Sequence, residues 1–247
     1  MTGAGRTDTG PVRTANEDHW HVDAARGLFI VADGMGGHQA GEVAAHLAVA
    51  EVVADLVASA GDAFAWPLGC EATLPRPVNR IGHALRRAND AVYAAGVSDP
   101  ALVGMGTTLT VLLVDDGQAV IGSVGDSRAY LVRGAGIELL THDDTWLASV
   151  LGNDGAREAA ARSHPMRHVL TSVIGAREPA RPEVLTRAVQ PGDILVLATD
   201  GLHNVVDDES IGRLVRGCGP EAAAQGLVEA ALARGTTDNV TVVVVHA

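Results

Sequence analysis

The sequence predicts an α+β fold, and three observations carry that prediction. Strand-like and helix-like segments are grouped along the chain rather than strictly alternating. The strand-like runs are short, aliphatic and bounded by turn residues. Other stretches carry apolar residues at helical spacing. With 247 residues, 47% of them hydrophobic, the chain can bury a sizeable core. Aromatic residues make up only 3%, so aliphatic side chains and alanine must fill it.

In chain order, His19 to Asp23 and Leu28 to Ala32 flank the turn Ala-Ala-Arg-Gly, a hairpin signal. From Ala40 onward, Val43, Leu47, Val49, Val52, Val53, Leu56 and Val57 recur with helical spacing. A Pro/Gly-rich connection from Ala65 to Pro77 leads to a second helix expected over Val78 to Ala95, with Ile81, Leu85, Ala88 and Val92 on one face. Residues 106–140 read as three or four strands, with DDG at 115–117 and GAG at 134–136 as hairpin turns. The polar stretch from Thr141 to Pro165 reads as short helices and loop. DILVLATDGL is an almost continuous apolar strand after the turn PGD. Helices are expected near Asp208–Arg216 and Pro220–Arg234, and the chain ends in TDNVTVVVVHA, a strand of valines.

Composition excludes several function classes. The net charge of −12 argues against nucleic acid and anionic membrane surfaces as partners. It leaves an anionic substrate open, because bound cations reverse the local sign. All 18 basic residues are arginine. The longest apolar runs are broken well before the ~20 residues a membrane helix needs. No basic-then-apolar leader opens the chain. A soluble, cytoplasmic protein without membrane insertion is expected. Cys70 and Cys218 lie far apart and form no motif with histidine, which argues against a disulfide framework and a structural zinc site.

The chemistry is expected from carboxylates. Asp33 ends a strand and precedes Gly34; Asp126 ends the strand AVIGSVG; Asp200 ends the strand ILVLAT and precedes Gly201; Asp238 opens the last strand; Glu17 and Asp18 lie just before the strand at His19. Each alone reads equally well as a turn or solvated residue. Gathered at one rim of a β core they would repel one another unless a cation joined them. Hard oxygen donors without histidine or thiolate suggest Mg²⁺ or Mn²⁺.

The motifs RTANED (13–18), VADGMGGHQAGE, GMGTTLT (104–110), GSVGDSRAYLVR (122–133), LTHDDT (140–145), LATDGL (197–202) and TDNVTVVVV stand in one order along essentially the whole chain. Together they resemble the metal-dependent protein phosphatase family, the type 2C serine/threonine phosphatases, in its compact bacterial form. The resemblance implies an α-β-β-α sandwich, two antiparallel sheets flanked by helices. It implies one catalytic domain over 1–247, with a flap at about 141–165. Asp33 matches the carboxylate that bridges two Mn²⁺ or Mg²⁺ ions. Gly34 matches a backbone carbonyl ligand, with Glu17 on the same side. Asp200 and Asp238 match the ligands of the other ion, Asp126 a weaker third-ion ligand, and Asp18 a residue behind the ligands. Arg13 matches the arginine that grips the substrate phosphate.

The implied activity is hydrolysis of phosphoserine and phosphothreonine by a metal-bridged water, with no side-chain nucleophile and no covalent phosphoenzyme. Phosphorylated proteins, and a serine/threonine kinase as their source, are the implied partners. The alternative is a catalytically weak or inactive relative acting as a regulatory binding protein. Many eukaryotic members carry histidine after the Asp-Gly pair; here the residue is Met35, with His38 three positions on. A water near Asp126 is the expected proton donor. Two other readings fail on their residues. GMGGHQAG misses G-x-G-x-x-G at Gln39. Cys70 and Arg76 are spaced as in cysteine phosphatases, but the intervening EATLP lacks glycine, and Pro75 lacks an amide donor.

Overall fold

The computed structural model describes residues 1–36, 40–61, 70–71, 73–151, 166, 169–176 and 182–247. The strands are β1 (Thr2–Asp8), β2 (Asp18–Asp23), β3 (Leu28–Met35), β4 (Gly106–Thr107), β5 (Leu109–Asp115), β6 (Gln118–Val124), β7 (Arg128–Arg133), β8 (Gly136–Leu139), β9 (Glu183–Ala188), β10 (Ile194–Ala198) and β11 (Val240–His246). The described helices are α1 (Ala40–Ala58), α2 (Arg76–Ser98), α3 (Trp146–Leu151), α4 (Asp200–His203), α5 (Asp208–Val215) and α6 (Pro220–Ala233). None is long and apolar enough to cross a membrane.

The strands form two sheets with antiparallel pairing. One has the order β1-β11-β10-β7-β8 and the other β2-β3-β5-β6-β9, with β4 added to β3. Alternation along the strands divides the side chains between two faces. Phe29, Val31, Leu112, Ile121, Leu195, Leu197, Val243 and Val245 fill the space between the sheets. The opposite face of the second sheet, Leu28, Ile30 and Val111 among others, is covered by α1 and α2. Val196, Val242 and Val244 on the first sheet are covered by α4, α5 and α6. The predicted α-β-β-α sandwich is the fold.

Small residues set the layer spacing. On β6, a Cβ at Gly122 would come within 2.8 Å of Leu85 Cδ1, so α2 seats directly on that strand. Alanines do the same on α1, where Ala44, Ala45 and Ala48 are buried. Val43 and Val57, counted on the apolar face in the sequence, are exposed instead. This helix is apolar nearly all round, so periodicity fixes its existence and not its phase. The DDG turn is as expected, with Asp116 and Gly117 at positive φ.

Several details depart from the sequence reading. β1 carries no strand signal in the sequence, because TGAGRTD has no apolar alternation. Its glycines are needed where the sheets close, since a Cβ on Gly3 or Gly5 would enter the ring of Phe29 or Trp20. β9, an edge strand of half-exposed residues, also went unread. Asp33 lies within β3 rather than at its end, because β4 extends the pairing through Met35. Asp200 opens helix α4, and Asp238 lies two residues before β11.

Candidate metal and phosphate site

The acidic residues meet at one end of the sandwich because β2 and β3 carry Asp18 and Asp33, while the turn after β6, the start of α4 after β10 and the turn before β11 deliver Asp126, Asp200 and Asp238. β2 and β3 set Asp18 directly opposite Asp33. Like charges so placed oppose pairing. Asp18 Oδ2 accepts from the Thr199 hydroxyl at 2.9 Å, which ties it to the other sheet at the turn before Asp200. The Asp33 backbone is locked by GMGTTLT. Its N–H donates to Thr108 Oγ1 at 2.9 Å, and its carbonyl accepts from the Thr108 N–H at 2.8 Å and the Thr107 hydroxyl at 2.9 Å. Asp126 follows β6 in a turn where Gly125 has φ +98 and packs on Thr108.

Burial, and then neighbouring charge, governs the protonation of these carboxyls. Removal from water raises the proton affinity of Asp33 well above the usual carboxylate range, and Asp18, Asp200, Asp126 and Asp238 all raise it further. Burial, then Asp200 and Asp143, push Asp126 up to about 8. Burial raises Asp18 to about 7 against the hydrogen bonds of Thr241 and Thr199. Burial and Asp238 raise Asp200 to about 6. Glu17 is raised, chiefly by burial.

Glu17 and Gly34 form a second corner. The Gly34 N–H donates to the Glu17 carbonyl at 3.1 Å. A Cβ on Gly34 would strike the carbonyl of Gly41, and one on Gly41 would come within 2.8 Å of the Glu17 carboxyl. Only glycines allow the first turn of α1 to close on this strand. Arg13 stands at the mouth, half exposed, its guanidinium bonded to Asp238 Oδ2 at 2.7 Å. Asp238 Oδ1 accepts from the Asn239 N–H at 2.8 Å.

All eight residues singled out in the sequence therefore fall at this end of the molecule. Others there were missed. Asn239 is the clearest: its Oδ1 accepts from the Glu17 N–H at 2.9 Å, and its Nδ2 donates to the carbonyls of Thr9 and Ala15 at 2.8 and 2.9 Å. Asn204 donates to Asp200 Oδ2 at 3.0 Å. Thr199 and Asn239 stand inside the motifs LATDGL and TDNV, yet a neutral side chain gave no charge signal to find them by.

The root of the expected flap is bolted to the Asp126 turn. The Asp144 N–H donates to the Gly125 carbonyl at 2.9 Å, and the Gly125 N–H returns to Asp144 Oδ2 at 3.0 Å. Beside it Arg128 grips Asp143 through two bonds, 2.9 and 2.7 Å. Beyond α3, positions 152–165 of the flap lie outside the described residues, as does His38. Met35 carries no transferable proton. Arg76 does not belong to a phosphate loop with Cys70: its guanidinium bonds the carbonyls of Ser59, Ala60 and Gly61 at the end of α1.

Could this residue set hold cations? Among the described residues, no three Asp, Glu, His or Cys side chains already close on a common point. Two buried oxygens, Asp18 Oδ1 and Asp200 Oδ1, nevertheless have no hydrogen-bond partner. Buried oxygens without partners are costly, and mutually repelling carboxyls add to that cost. Hard divalent ions satisfy both demands, so the residues fit them.

Comparison with known proteins gives one answer. The family model described as protein phosphatase 2C matches residues 11–233, which leaves Asp238 just outside the matched span. The serine/threonine protein phosphatase PstP of Mycobacterium tuberculosis is 36% identical over 98% of this chain, but the chain spans only 44% of its length. The protein phosphatase PhpP of Streptococcus pneumoniae is 34% identical over 97% of this chain and 94% of its own. A crystal structure of the PstP catalytic domain in complex with two manganese ions superposes with a TM-score of 0.81 at 35% identity, covering 98% of this chain and 96% of the other.

Proposed function

Because the chain belongs to the protein phosphatase 2C family, we propose that it is a metal-dependent serine/threonine protein phosphatase. The observation that carries this reading is the ring of Asp18, Asp33, Asp126 and Asp200. Asp18 lies directly opposite Asp33, buried oxygens of Asp18 and Asp200 have no hydrogen-bond partner, burial raises the proton affinity of all four, and Arg13 is bonded to Asp238 beside them.

In this proposal Asp33 would help hold both of two Mn²⁺ or Mg²⁺ ions. The Gly34 carbonyl and Glu17 would serve one of them, Asp200 and Asp238 the other, and Asp126 a weaker third. Asp18 stands behind them, held by Thr199. When bound, divalent cations supply Lewis acidity and a water deprotonated near neutral pH. The chain's own residues orient and balance charge. Arg13 would offer a planar fork to two phosphoryl oxygens, and one of its nitrogens is anchored by Asp238. Asn239 holds the 9–17 segment that carries Arg13. Attack by water without a covalent phosphoenzyme belongs to the same proposal.

Phosphorylated proteins are the proposed substrates, which places a serine/threonine kinase upstream. One catalytic domain over 1–247 and a cytoplasmic location belong to the same proposal; alignments covering 97–98% of the chain support the first. The test is hydrolysis of a phosphothreonine peptide with Mn²⁺, with Mg²⁺ and with EDTA. Turnover that requires metal supports the proposal. Metal binding without turnover would favour the regulatory binding protein, and turnover in EDTA would refute the metal reading.

A further inference from the structure

The strand that carries Asp18 carries a chemically different donor set one residue on. Its register with β3 pairs His19 with Ala32 and His21 with Ile30, whose side chains belong to the helix-covered face. Trp20 and Val22, the alternating pair, join the core between the sheets. His19 and His21 thus stand side by side on the face that α1 covers. His46 of α1 meets His19 there, with ring centroids 4.7 Å apart and planes tilted by 46°. Glu42, one turn earlier on the helix, is near enough for its charge to act on both His19 and Glu17. His21 Nε2 is buried and has no hydrogen-bond partner.

We propose that His19, His21 and His46 form a second cation site, for a borderline transition metal of the Zn²⁺ class, with Glu42 as an auxiliary oxygen donor. Three imidazoles with a fourth position left to water or carboxylate are an established zinc donor set. With Zn–N near 2.0–2.1 Å, two imidazoles on one tetrahedral ion have centroids about 5 Å apart, close to the spacing of His19 and His46. Coordination also supplies His21 Nε2 with the partner it lacks. No three donors here converge on one point as they stand, which is equally true of the carboxylates. Closure needs rotation of side chains, and His46 is exposed. Ligand chemistry sorts the ions: imidazole favours Zn²⁺, Ni²⁺ and Cu²⁺, while the carboxylate ring favours Mg²⁺ and Mn²⁺. The histidine site stands whether or not the carboxylates hold cations.

The test is calorimetric titration with Zn²⁺ in excess Mg²⁺, which keeps the hard-ligand positions filled. Wild type, His46→Ala, His21→Ala and Asp200→Asn are compared, with circular dichroism to check folding. The wild type and Asp200→Asn each bind Zn²⁺. Either histidine variant weakens it by about tenfold or more, since loss of even an outer hydrogen-bond partner of a metal ligand costs that much. Co²⁺ as a spectroscopic substitute gives ligand-field absorption that disappears in His46→Ala. The proposal fails if Zn²⁺ does not bind in excess Mg²⁺, or if both histidine variants bind it as wild type does. It fails equally if binding is lost only in Asp200→Asn, which would place the ion among the carboxylates.

Discussion

At the scale of single residues, Arg13 and Asn239 divide the work of the opening. Arg13 is half exposed and anchored at one edge by Asp238. Its replacement by alanine is expected to lower kcat/KM by about a hundredfold, the cost of removing one charged donor to a transition state. Arg13→Lys recovers part of the loss, because a point charge cannot offer two parallel N–H groups; steady-state kinetics on a phosphopeptide measures both. Asn239 contacts no substrate in this account. Asn239→Ala strips partners from the Glu17 N–H and from the carbonyls of Thr9 and Ala15. It is expected to cost about 1–3 kcal/mol in denaturant unfolding, and to raise KM more than it lowers kcat. An unchanged unfolding midpoint would show that the network carries no weight. The charged members of this site were readable only together, through the order of the motifs that contain them, since each carboxylate alone reads equally well as a turn or solvated residue. Thr199 and Asn239 were not, because their importance comes from which backbone groups happen to lie opposite.

At the scale of elements, the site depends on how closely α1 approaches β3. Gly34 faces the Gly41 carbonyl, and Gly41 faces the Glu17 carboxyl. Gly34→Ala is therefore expected to displace the first turn of α1 and Glu17 together. Mn²⁺ affinity and thermal stability should fall jointly. A variant with native melting behaviour and native Mn²⁺ affinity would contradict the close-packed corner. Long periodic elements were legible: α2, β10 and β11 lie where their patterns predict. β1 and β9 were not, one because glycines replace apolar residues at the sheet contact, the other because an edge strand buries too little to alternate. The same limit applied to α1, whose uniform apolarity concealed which face its alanines turn inward.

At the scale of the whole molecule, the fold concentrates negative charge and leaves its balance to cations. Asp126, Asp18 and Asp200 hold their protons to about 8, about 7 and about 6 in the folded chain, against about 4 when unfolded. The native state therefore binds more protons between those limits, and metal-free stability falls as pH rises from about 4 towards 8. Asp23, Asp193 and Asp207, held low mainly by hydrogen bonds from Arg26, Arg133 and the Ser210 backbone, act in the opposite sense at more acid pH, and His19, held low by burial, is a single opposing group inside the window against the three carboxyls. Melting temperatures in EDTA should decline across the interval, and Mn²⁺ should flatten the decline; a flat profile in EDTA would contradict the repulsive ring. The central claim is that this ring is a metal centre, and calorimetric titration of Mn²⁺ into wild type and Asp33→Asn tests it most directly. Binding of at least two ions by the wild type, with loss in a folded Asp33→Asn, is the predicted result. Equal binding by both proteins, or none by the wild type, would contradict it.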